Sequence, residues 1–180
     1  MMRTPSYRVV ALTLCVGMLA AFPALAGPVE MPNRKPGLWE IKVKAGSEMP
    51  AMTMQQCTDA TTDKDMAATF SPMAKEMCSK QDMQKTATGM VIDSTCNVGG
   101  MNSVSRTEIN GDFNSAYTVK VISKNTGGPV GVPAESATTM DAKWVGACKA
   151  DQKPGDIVMP GGMKINIKDM QAAKGVQPKK

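Results

Sequence analysis

The chain contains no histidine. That absence removes Ser-His-Asp and Cys-His catalysis, most zinc sites and the imidazole sites that hold Cu(II). Aromatic residues are few, with two Trp, two Tyr and three Phe, and the lysines are scattered. With neither stacking platforms nor a basic stripe, nucleic-acid binding is not expected. No CxxC pair occurs, which argues against a thioredoxin-like site or a zinc ribbon. Leu and Phe are scarce. After the first 26 residues, no stretch is apolar enough to cross a membrane.

The N-terminus does carry an apolar run. Met1 to Arg8 holds Arg3 and Arg8 and no acid; Val9 to Phe22 is apolar; Pro23-Ala24-Leu25-Ala26 places small residues where a signal peptidase reads them. This is the pattern of a cleavable secretory signal over residues 1–26, with cleavage expected between Ala26 and Gly27. The run is too short to span a bilayer comfortably. Leu14 before Cys15 does not suit a lipoprotein. Arg3 and Arg8 leave with the segment and no acid does, so the formal charge falls from +5 to +3. The expected location is periplasmic or secreted.

Four cysteines remain: Cys57, Cys78, Cys96 and Cys148. An even number in an exported chain implies disulfides. Three pairings are open. The expected bridges are Cys57–Cys78, bracketing a helical insert, and Cys96–Cys148, tying a middle strand to the last one.

Between these cysteines the pattern is mainly β. Gly37 to Lys44 alternates cleanly, with Trp39, Ile41 and Val43 on one face and Glu40, Lys42 and Lys44 on the other, as in a half-buried strand. Ala51 to Thr58 reads as a second strand with Met52 and Met54 on one face. Thr58 to Lys75 has N-cap residues and Met66, Phe70 and Met73 at helical spacing, so one or two short helices are expected, broken near the end by Pro72. Strands return at Gln81 to Thr86, Met90 to Cys96 and Asn102 to Ile109. Asn110-Gly111-Asp112 predicts a hairpin turn. Phe113 to Ser123 and Ser136 to Cys148 complete the set. Trp39 and Trp144 are expected in one buried face with Ile41, Val43 and Tyr117. The fold expected is an antiparallel meander, a curved sheet or partial barrel, with a short helical insert between Cys57 and Cys78. The β-rich domain is placed at residues 27–148, followed by a loop-like tail over 149–180 with at most a short helix around Asp169 to Lys174.

The run Lys35-Pro36-Gly37-Leu38-Trp39-Glu40-Ile41, then Gln56-Cys57-Thr58, Cys78, Cys96 and Lys143-Trp144-Val145-Gly146-Ala147-Cys148, resembles domain of unknown function family 3617, a group of exported bacterial proteins. The resemblance covers about residues 35–148. It implies an envelope protein with a β-rich domain and carries over no catalytic residues.

Fourteen methionines lie beyond the signal segment. Met49, Met52 and Met54 put three thioethers within six residues, and Met159 and Met163 flank Pro160-Gly161-Gly162. Thioethers are soft donors suited to Cu(I), so Met49, Met52 and Met54 are candidate ligands. The simpler reading is that Met fills core and surface positions, or is oxidised there. Asp63, Asp65, Glu108, Asp112 and Asp141 do not form a recognisable acid–base pair. No cofactor and no catalytic residue is expected. The sequence points to a non-catalytic binding or structural module of the envelope, acting on an unidentified ligand or protein. A Met-rich Cu(I)-handling protein is the alternative.

Overall fold

The computed structural model describes residues 31–175, leaving aside the side chains of 67–73 and of 173 onward. The expected signal segment and its cleavage point lie outside the described residues. Nine strands form one antiparallel, open sheet in the order β3-β4-β5-β6-β7-β1-β2-β8-β9. In chain order these are β1 (Gly37–Ala45), β2 (Met52–Thr58), β3 (Cys78–Lys85), β4 (Gly89–Val98), β5 (Met101–Asp112), β6 (Ala116–Thr126), β7 (Glu135–Gly146), β8 (Asp156–Val158) and β9 (Lys164–Asn166). Helix α1 (Ala60–Met77) joins β2 to β3, and α2 (Ile167–Gly175) follows β9.

The chain therefore starts in the middle of its own sheet. β1 pairs with β2 on one side and with β7 on the other. α1 carries the chain to the far edge, and β3 to β7 return strand by strand. Alternation in β1 sets the faces: Trp39 is fully buried, and Ile41 is buried beside Ala142 of β7. Trp39, Ile41, Met90, Ile109, Tyr117 and Ala142 form the core. Trp39 and Tyr117 rings lie 5.6 Å apart, and Phe113 stacks on Tyr117 at 4.6 Å. Trp144 and Val43 are half-buried against this cluster. The face carrying these side chains is the inner face.

The disulfides differ from the sequence expectation. The structure pairs Cys57 with Cys148 and Cys78 with Cys96, not Cys57 with Cys78 and Cys96 with Cys148. The sheet order explains the difference. Leu38 of β1 faces Cys57 on one side and Gly146 on the other, so Cys57 and Cys148 meet across the start of β1, with Cα atoms 5.4 Å apart. Cys78 and Cys96 sit opposite each other in the β3–β4 ladder. Cys96 and Cys148 are kept apart by β5 and β6.

One turn and one helix also differ. β5 runs on through Asn110 and Gly111, and the chain reverses at Phe113 to Ser115 instead. Asp112 makes that turn: its carboxylate accepts from the Asn114 N–H at 2.9 Å and from the Ser115 hydroxyl at 2.9 Å. These bonds hold its carboxyl below the usual range. Gly111 adopts φ +124°, and a Cβ there would collide with the Ala116 carbonyl, so the glycine serves a close strand approach rather than the reversal. α1 is one continuous helix through Pro72. Proline forfeits one backbone bond there, but both helix ends are fixed. Asp59 and Thr62 form a reciprocal capping box at the start, with the Thr62 N–H lowering the Asp59 pKa. At the other end, Cys78 caps the helix and is bridged to Cys96.

Residues 149–175 are not purely loop. β8 and β9 extend the sheet beyond β2, and α2 occupies the place where a short helix was expected.

Candidate functional site

The inner face is built in rows by the register. One row runs Met90, Ile109, Val119, Met140, Val43 and Met52 across β4, β5, β6, β7, β1 and β2. The next runs Ile92, Thr107, Val121 and Thr138. Beyond it lie Ser94, Ser105, Ser123 and Ser136, of which Ser94 and Ser105 share a hydrogen bond at 2.8 Å. The face thus grades from aromatic and aliphatic to hydroxyl. Val43, Met54, Met83, Ile92, Val119 and Met140 are half-buried against the core, which leaves part of each side chain open.

α1 is fastened over β2 by a buried polar cluster. Arg34 donates from its backbone N–H to Asp63 Oδ2 at 2.7 Å and from Nε to Oδ1 at 2.9 Å. Its other guanidinium nitrogens reach Gln56 Oε1 at 2.9 Å and Asp63 Oδ1. Thr58 donates to Asp63 Oδ1 at 3.1 Å, and the Gln56 amide reaches the Met66 sulfur at 2.8 Å. Arg34 also lies over the Trp39 ring at 5.9 Å. Burial raises the Tyr117 phenol, against the pull of the Arg34 charge. This enclosed ion pair ties the lead-in to β1, the end of β2 and the start of α1 together. Asp63→Asn is expected to cost about 2 kcal/mol, because it leaves the Arg34 charge buried without its counter-ion. Urea unfolding of Asp63→Asn, Arg34→Met and the double variant measures it, and a strictly additive double variant would contradict the coupling.

Trp144 is only half-buried. Its indole N–H donates to the Pro36 carbonyl at 3.1 Å, and the Lys35 ammonium stands 3.6 Å from its ring centroid. The Trp39 indole N–H meets the Lys35 carbonyl at 2.8 Å. The Lys35-Pro36-Gly37 run thus pins both tryptophans. Gly37, at φ +132°, has no room for a Cβ beside the Gly146 carbonyl.

These contacts join the two ends of the sequence pattern in space. A family model described as protein of unknown function (DUF3617) matches residues 34–148. The chain belongs to this family. No curated protein and no solved structure matches it. The DUF3617 segment starts at Arg34 of the fastening cluster and ends at Cys148 of the disulfide that closes β2 onto β7. β8, β9 and α2 lie beyond the matched part, and β8 pairs with the edge of β2.

Of the candidate copper ligands, Met54 packs against the core, while Met49 and Met52 are 57 % and 49 % exposed. Among the described residues no three of His, Cys, Asp and Glu gather as they would around a metal ion. Asp65, Glu108 and Asp141 lie apart on α1, β5 and β7. A polar depression of about 440 Å³ outside the DUF3617 segment is lined by Asp151, Lys153, Asp156, Lys164, Asn166 and Asp169. Burial alone would raise Asp156, but bonds from the Asn166 amide and the Lys153 N–H outweigh it and leave its pKa lowered. Asp156 therefore stabilises the β8–β9 hairpin above the ordinary carboxylate pKa, and that contribution disappears as pH falls through the depressed native value. The Arg34 cluster was not legible in the sequence: Arg34 and Asp63 are 29 positions apart and carry no local signature of pairing.

Proposed function

We propose that the mature protein is a non-catalytic binding module of the cell envelope, whose inner sheet face takes an apolar ligand or an apolar segment of a partner. The observation that carries this is the half-buried band of Val43, Met54, Met83, Ile92, Val119 and Met140 around the core. Methionine suits such a face because its unbranched, polarisable side chain adapts to varied shapes. Export is supported by the leader pattern and by two disulfides. Among the described residues no helix is long and apolar enough to cross a membrane.

A solvatochromic apolar dye offered to the disulfide-intact mature protein tests the reading. Saturable binding is expected, weakened in Met140→Ser and unchanged in Val104→Ser, a residue exposed on the opposite face. Absence of saturable binding to the folded protein would leave only a structural role.

A further inference from the structure

Strand pairing brings methionines distant in sequence to one corner of the sheet. β2 pairs with β8 through Gln56 with Ile157 and Gln55 with Val158. Directly opposed residues point to the same side of a sheet. Continued one residue past the end of β8, this register would set Met159 level with Met54, on the inner face. The Met159 N–H donates to the Met163 carbonyl at 2.8 Å, and the Gly162 N–H donates to the Met159 carbonyl at 3.0 Å. The turn between them therefore folds Met163 back beside Met159. Gly161 and Gly162 both adopt φ +86°, which the reversal requires. Met52 is two residues from Met54 and shares its face. Met52 is 49 % and Met163 61 % exposed, while Met54 and Met159 are half-buried.

We propose that Met52, Met54, Met159 and Met163 form a Cu(I) site. Neutral thioethers are soft donors that select Cu(I) over harder ions. Packing does not account for the two exposed members. The ligand set differs from the run of Met49, Met52 and Met54 visible in the sequence. Two of its donors come from the β8–β9 hairpin, and Met49, in the β1–β2 turn, is left out because no strand pairing fixes it. The site stands at the β2–β8 corner and does not rest on the apolar-ligand reading.

The test uses the mature, disulfide-intact protein in oxygen-free buffer, with Cu(I) offered in competition with a chromophoric Cu(I) chelator. The protein is expected to withdraw one equivalent. Met52→Leu with Met159→Leu should weaken that affinity at least about tenfold, whereas Met170→Leu, an exposed residue on α2, should not change it. Labelled methionine methyl resonances of the unsubstituted protein supply a readout that needs no variant to fold: Met52, Met54, Met159 and Met163 should shift on Cu(I) addition. No withdrawal of Cu(I), a folded double variant that binds unchanged, or shifts spread equally over Met31 and Met170 would each overturn the site.

Discussion

A chain in which Cys57 and Cys148 are both replaced by alanine is expected to lose about 4.6 kcal/mol of stability if the bond acts by restricting the unfolded chain. The bond closes a sequence separation of 91 residues, so its loss frees a long loop. It also links the end of β2 to the end of β7 across β1, the strand that carries Trp39. Cys57 is fully buried, so truncation there adds a packing loss. The Cys78–Cys96 bond closes only 18 residues, and its removal should cost about 3.2 kcal/mol by the same reasoning. Urea unfolding of both alanine pairs measures the difference. A larger loss for the Cys78–Cys96 pair would contradict the assignment of the long bridge as the principal clamp. Peptide mapping without reduction checks the pairing itself.

Trp39→Ala should cost about 3–5 kcal/mol, the range for emptying a packed aromatic site. Trp39 is the largest fully buried side chain. It touches Tyr117, receives the Arg34 cation on its ring and donates its indole N–H to the Lys35 carbonyl. Its loss therefore leaves a cavity and frees a carbonyl. Trp144→Ala should cost clearly less, since that ring is only half-buried at the margin of the core and its polar contacts are with Lys35 and Pro36. Equal losses for the two tryptophans would show that the core is not centred on β1.

The strands were legible because their residues alternate. Trp39, Ile41 and Val43 in β1, and Met140, Ala142 and Trp144 in β7, fall on the inner face as alternation requires. Neighbour order was not legible. Nothing local in Gly37 to Lys44 shows that it lies between β2 and β7 rather than at an edge, and the misassigned disulfides followed from that. β8 and β9, of three residues each, are too short for alternation to show. Asn110-Gly111 carried a strong turn signal, but the Asp112 carboxylate, bonding Asn114 and Ser115, set the reversal three residues later. Of the candidate site, the apolar face could be read from the strands. The methionine corner could not, because it exists only once β8 is known to pair with β2.

The most direct measurement of the central claim is a titration of the folded mature protein, with labelled methionine methyl groups, by a soluble apolar ligand such as a short-chain alkylbenzene. Methyl resonances of Met83, Met90 and Met140, in or against the inner-face core, are predicted to shift saturably, while those of Met31 and Met170, exposed and not part of that cluster, stay in place. Unmoved inner-face resonances, or shifts confined to Met31 and Met170, would contradict the assignment of the inner face as a binding surface.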